Sequence, residues 1–195
     1  MEKQDFLNQL LDSMTLEEKI GQLYQAPYFS NIITGHAFDS SHTIKDIKEG
    51  LVGSILSVHD TKTLKALQEA AMASRLKIPL LFCFDVIHGY KTAFPINLAL
   101  SSSFDPDLIE RVSQAIAYET AHAGLHLTFS PMVDLVRDPR WGRVMESNGE
   151  DPYLSSELAK AYVKGYQQES LKNHNSVAAC VKHFAGYGFV EAGRE

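Results

Sequence analysis

Short apolar runs alternate along the chain with stretches whose apolar residues recur at helical spacing. The runs at 51–56 (LVGSIL), 79–84 (PLLFCF), 125–129 (LHLTF) and 177–181 (VAACV) read as four buried strands. Between the first two, 61–76 puts Leu64, Leu67 and Ala71 on one helical face. Asp105-Pro106 opens a further helix, an N-cap acid followed by a first-turn proline. Its apolar stripe is Leu108, Val112, Ala115 and Ile116, and Gly124 stops it. Asp151-Pro152 opens another helix by the same device, with Leu154, Leu158, Ala161, Tyr162 and Gly165 on its inner face. Near the start, Thr15 and Glu18 have the spacing of a capping box, which begins a helix through Ile20 and Leu23. The polar stretch from about 28 to 43 reads as a long loop.

Strands alternating with helices predict an α/β fold with a parallel sheet. A (β/α)8 barrel and an open doubly wound sheet compete. No GxGxxG or GxxxxGK[ST] follows any strand, so the usual nucleotide-binding signs of the open sheet are missing. Polar residues instead gather after several strands, as in barrels that assemble a site at one rim. A barrel takes about 250 residues. The expectation is therefore a TIM-type barrel with only its N-terminal half to two-thirds present, residues 1–195 being one incomplete N-terminal barrel domain.

Composition narrows the function classes. A hydrophobic content of 45% over 195 residues is enough for a real core. The formal charge of −6, with 18 Lys and Arg scattered along the chain, argues against a nucleic-acid partner. No run of 18 apolar residues exists, so no membrane span is expected. The first residues lack the apolar core of a secretory signal, and with Met1 as the true start a cytoplasmic protein is expected. Cys83 and Cys180 sit inside apolar runs and read as buried free thiols. His122 and His126 have a metal-ligand spacing, but Gly124 breaks the helix between them, and no metal is expected.

Three places carry chemistry. Asp85 ends an apolar strand, where a carboxylate can accept two ligand hydroxyls; an N-cap or loop acid is the alternative. In Asp138-Pro139-Arg140-Trp141-Gly142-Arg143, one arginine could hold a ligand while the other pins the loop to Asp138, Glu146 or Asp151; both could equally tie down the loop. Lys182 and His183 end the last strand, and on a regular strand they would point to opposite faces. Both reach one pocket only if the strand ends or kinks at Lys182, which Gly186 and Gly188 permit. His183 could act there as a general base or bind a hydroxyl.

With MTLEEKIGQL, CFDVIHG, DPRWGRVMESNGEDPYL and VKHFAGYG in this order and spacing, the chain resembles the N-terminal barrel domain of glycoside hydrolase family 3 over nearly its whole length. The resemblance implies that Asp85 grips the distal hydroxyls of the sugar in the subsite before the cleaved bond. Arg143, Lys182 and His183 would belong to the same subsite, and Arg194 would be a later basic residue near the sugar or the nucleophile. It also implies a retaining mechanism with two carboxyl groups about 5–5.5 Å apart. The family's nucleophile lies in a Ser-Asp-Trp-like segment and its acid/base usually in a further domain. Neither segment occurs here, so no catalytic residue is assigned, and Asp85, Asp134 and Glu191 do not fill the gap. The N-acetylglucosaminidase branch carries KHFPGHG; Ala185 and Tyr187 here fit the β-glucosidase and β-xylosidase branch better.

The implied activity is hydrolysis of terminal non-reducing β-linked glucose, or a related sugar, by the complete protein. The 195 residues alone are expected to be inactive. The implied partners are a β-linked oligosaccharide or glucoside and the C-terminal remainder of the same protein. No cofactor is implied, and a homo-oligomer is left open. A non-catalytic sugar-binding or remnant protein is the alternative, and an unrelated barrel enzyme using His183 as base is a third reading.

Overall fold

The computed structural model describes residues 2–28 and 40–191, with only the backbone of 40–42. Most of the loop expected at 28–43 lies outside the described residues, and its far end is helical rather than loop. Two compact units divide the chain, Met1–Cys83 and Phe84–Glu195.

The first unit runs through α1 (Lys3–Ser13), α2 (Leu16–Leu23), β1 (Gln25–Pro27), α3 (Ser40–Lys48), β2 (Ser54–Leu56), α4 (Thr61–Met72) and β3 (Leu81–Phe84), whose last residue opens the second unit. β1 pairs parallel with β2 from Gln25↔Ser54 to Pro27↔Leu56, and β2 with β3 from Ser54↔Leu81 to Leu56↔Cys83. Ile55, Leu67 and Leu80 are buried here. The capping box is made in full: Thr15 Oγ1 accepts from the Glu18 N–H at 3.2 Å, and the Glu18 carboxylate accepts from the Thr15 N–H at 2.8 Å. Glu18 also pairs with Arg75, whose guanidinium holds the Glu18 carboxyl below its ordinary range. α1, β1 and α3 were not anticipated. β1 is three residues of QAP, too short and proline-ended to show alternation. α1 buries none of its residues.

The second unit contains α5 (Asn97–Ser101), α6 (Pro106–His122), β4 (Leu127–Thr128), α7 (Pro152–Gln167) and β5 (Ala178–Ala179). Asp105 caps α6 by accepting from the Leu108 N–H at 3.0 Å, and Asp151 caps α7 by accepting from the Leu154 N–H at 2.6 Å. Each such cap stabilises a helix by about 1 kcal/mol. The core joins Ile109, Val112 and Ile116 of α6 to Leu158, Ala161, Tyr162 and Tyr166 of α7, with Val86 and Val177 from the strand ends.

The strand–helix alternation and the parallel pairing are those of the expected α/β, TIM-type (β/α)8 fold. The regular ladder is shorter than the apolar runs suggested. β4 and β5 pair parallel only at Leu127↔Ala178 and Thr128↔Ala179. Past that point the register shifts by one residue, with the extra residue on the β4 side. Pairing resumes once, as the parallel bridge Met132↔Lys182, with Lys182 donating its N–H to the Pro131 carbonyl at 3.0 Å and Val133 donating to the Lys182 carbonyl at 2.8 Å. The Ser130–Pro131 and Lys182–His183 peptides are cis. Cys83 is buried and Cys180 only half-buried, so the expectation of two buried thiols holds for the first alone.

Candidate functional site

The chain leaves β3 at Phe84, and the next residue is Asp85. Val86 behind it is fully buried, and its N–H donates to Thr128 Oγ1 at 3.4 Å, which ties this strand exit to β4. The irregular continuation of β5 delivers Lys182 beside Asp85, with Nζ donating to Oδ2 at 2.7 Å. The partners differ in exposure: the Lys182 side chain is 10% exposed and that of Asp85 47%. The ammonium is thus sunk, while the carboxylate keeps lone pairs toward solvent for a ligand.

His183 follows after the regular strand has ended, as the two-sided chemistry required. Its backbone N–H donates to Asp134 Oδ2 at 3.1 Å, and its Nδ1 lies 2.7 Å from the same oxygen. On its other side, Nε2 lies 3.2 Å from Arg143 Nη1. Arg143 is in turn gripped by Glu146, Nε to Oε1 at 2.7 Å and Nη2 to Oε2 at 2.6 Å. This bidentate pairing keeps the Glu146 carboxyl below its ordinary range and raises the Arg143 guanidinium further. The two arginines therefore divide the labour that the sequence left open. Arg140 is spent on Asp138, Nε to Oδ1 at 2.9 Å, with its side chain 70% exposed, whereas Arg143 both holds the loop and faces His183.

Tyr187 binds this cluster from below. Its ring meets the edge of His183 at 4.5 Å and of Trp141 at 5.3 Å, and the Arg143 guanidinium carbon sits 5.5 Å from its centre. Trp141 is 2% exposed, so the only tryptophan anchors the DPRWGR loop rather than facing a ligand. Gly188 lets the turn close: a Cβ there would lie 2.1 Å from the Leu135 carbonyl oxygen.

The structure thus brings together Asp85, Arg143, Lys182 and His183. Arg194 lies outside the described residues. His88 is structural, its Nδ1 3.2 Å from the Phe94 carbonyl oxygen, and His122 Nδ1 lies 2.8 Å from that of Tyr118. Among the described residues no group of three or more His, Cys, Asp or Glu is placed to hold a metal ion. Asp134 and Tyr187 were missed as members of the cluster. The signal for Asp134 was a lone acid flanked by Met132, Val133, Leu135 and Val136 just after a strand. Chemically, the cluster offers the half-exposed Asp85 carboxylate as acceptor and charge-assisted donors from Lys182 and Arg143 within one polar rim, which suits a neutral polyhydroxylated ligand.

A family model described as the glycosyl hydrolase family 3 N terminal domain matches residues 15–195. A periplasmic β-glucosidase of Salmonella typhimurium is 45% identical over 97% of this chain, and a putative β-xylosidase of Formosa agariphila is 34% identical over 94%. The crystal structure of a β-glucosidase from Listeria innocua in complex with glucose superposes with a TM-score of 0.86 at 46% identity, covering 98% of this chain. The chain spans about a quarter of these proteins' lengths: 24%, 26% and 28% respectively. The expected cytoplasmic location is overturned, since the Salmonella relative is a periplasmic protein. That expectation rested on the first residues lacking the apolar core of a secretory signal, read with Met1 as the true start.

Proposed function

This chain belongs to glycosyl hydrolase family 3, as its N-terminal domain, and from that premise we propose that it forms the sugar-binding part of a β-glucosidase. The complete protein hydrolyses terminal non-reducing β-linked glucose, or a related sugar, by a retaining mechanism in which two carboxyl groups act about 5–5.5 Å apart. Residues 1–195 belong to the N-terminal barrel domain and hold the sugar in the subsite before the cleaved bond. The observation that carries this reading is the Lys182–Asp85 pair at 2.7 Å beside the Arg143–His183 contact at 3.2 Å. Asp85 accepts from two adjacent hydroxyls, while Lys182 and Arg143 donate, and the ring is held before any bond breaks. The glucose-bound Listeria enzyme supports glucose as the occupant.

The test is turnover of aryl β-glucoside and aryl β-xyloside by the full-length protein and its Lys182→Ala variant. Removing Lys182 leaves Asp85 half in water, so the fold stands while the donor is lost. A charge-assisted hydrogen bond of about 1.5–3 kcal/mol corresponds to a loss of kcat/KM of roughly tenfold to a hundredfold. Unchanged kcat/KM in the variant, or no β-glycosidase turnover by the full-length protein, refutes the reading.

A further inference from the structure

We infer that Asp134 is a positioning residue that fixes His183 as its Nδ1–H tautomer, so that the Nε2 lone pair accepts from Arg143 and orients its guanidinium toward the sugar. A neutral imidazole has one N–H and one lone pair, and its neighbours decide which nitrogen carries which. Here both neighbours are one-sided. A carboxylate only accepts, and Asp134 Oδ2 stands 2.7 Å from Nδ1. A guanidinium only donates, and Arg143 Nη1 stands 3.2 Å from Nε2. The two contacts are satisfied together only by the neutral ring with its proton on Nδ1. The Nε2–H tautomer would set a donor against a donor at Arg143 and a lone pair against a carboxylate at Asp134. The doubly protonated ring would keep the Asp134 bond and oppose Arg143.

Asp134 is suited to the task by burial. Its side chain is 3% exposed, and the same Oδ2 accepts from the His183 backbone N–H at 3.1 Å. One oxygen therefore fixes both the main chain and the ring of His183. The side chain of His183 is 32% exposed, so its contact with Arg143 lies at the rim rather than in the core. The consequence for the ligand rests on the sugar-binding reading above: with one Arg143 N–H held by Nε2, the remaining guanidinium N–H groups and Lys182 are aimed as donors at the sugar oxygens.

The experiment is 15N spectroscopy of the full-length protein carrying histidine labelled in the imidazole ring, with His183→Gln used to identify the His183 signals. The expected spectrum at neutral pH has a protonated Nδ1 and an unprotonated Nε2. Asp134→Leu, close in size, removes the acceptor at Nδ1 and is expected to abolish the signature of a hydrogen-bonded Nδ1–H in the His183 signals. It is also expected to weaken glucose binding, measured as Kd, by roughly tenfold to a hundredfold. An Nε2–H or doubly protonated His183 in the unmodified protein overturns the assignment, and this needs no variant to fold. An Asp134→Leu protein whose His183 imidazole signals are unchanged overturns it too. A glucose Kd within twofold of the unmodified protein in Asp134→Leu, where His183→Gln has lost binding, overturns the positioning role. Glucose binding that survives His183→Gln refutes the sugar-binding reading and leaves the tautomer assignment standing.

Discussion

Replacing Glu146 by glutamine isolates what holds Arg143 in place. Glu146 takes two of the guanidinium's nitrogens, at 2.7 and 2.6 Å, and leaves Nη1 facing His183. Glutamine keeps one acceptor oxygen but turns an N–H₂ against the other guanidinium nitrogen, so one bond and the charge are lost. A charge-assisted bond contributes about 1.5–3 kcal/mol. The two side chains are 29% and 25% exposed, and solvent screening lowers the loss to about 1–2 kcal/mol. If Arg143 must hold its position to bind the sugar, that is roughly fivefold to thirtyfold in glucose Kd. The pH dependence separates this pair from others. Arg143 depresses the Glu146 carboxyl in the folded protein, so the pair's stabilisation is complete above the unfolded value of about 4.3. It is lost as pH falls through the lower folded value. The assay is glucose titration by calorimetry together with thermal unfolding from pH 7 down to 3, for the full-length protein and Glu146→Gln. The variant should start less stable and lose less on acidification. A glucose Kd within twofold of the unmodified protein, alongside an Arg143→Ala variant that has lost binding, would show that Arg143 needs no holder.

Two further perturbations test the scaffold. In Gly89→Ala, at φ 136° with the new Cβ 2.0 Å from the Thr92 carbonyl oxygen, the backbone after Asp85 must move; a loss of at least about 2 kcal/mol is expected in denaturant unfolding, and an unchanged midpoint contradicts it. Tyr166→Phe strips the buried Ser130 Oγ of its partner at 3.0 Å and should cost about 1–3 kcal/mol near neutral pH. Burial pushes the Tyr166 hydroxyl up to about 12. The folded state therefore keeps a proton that the unfolded state releases near 10, and this residue's share of stability falls as pH rises between those values. The phenylalanine variant should lack that share, so equal alkaline slopes count against it.

What was legible in the sequence was local. Runs of apolar residues that end in a charge located Asp85 and Lys182, because a buried strand has to surface where it meets a polar pocket, and periodicity with Asp-Pro starts located α6 and α7 to within a residue or two. What was not legible depends on pairs far apart in the chain. Asp134 and His183 are 49 residues apart, and Asp85 and Lys182 are 97 apart. No spacing rule reaches across such distances, so a lone acid among apolar neighbours looked like any loop residue. Strand lengths failed for a related reason. An apolar run marks burial, not pairing, and here the register slips by one residue between Thr128↔Ala179 and Met132↔Lys182. The interrupted ladder is also what places the site. A regular strand would send Lys182 and His183 to opposite faces. Because regular pairing stops at Ala179 and returns only at the Met132↔Lys182 bridge, Lys182 reaches Asp85 while His183 reaches Asp134 and Arg143. The residues were written in the sequence, while their convergence depended on a shift of register between two strands far apart in the chain.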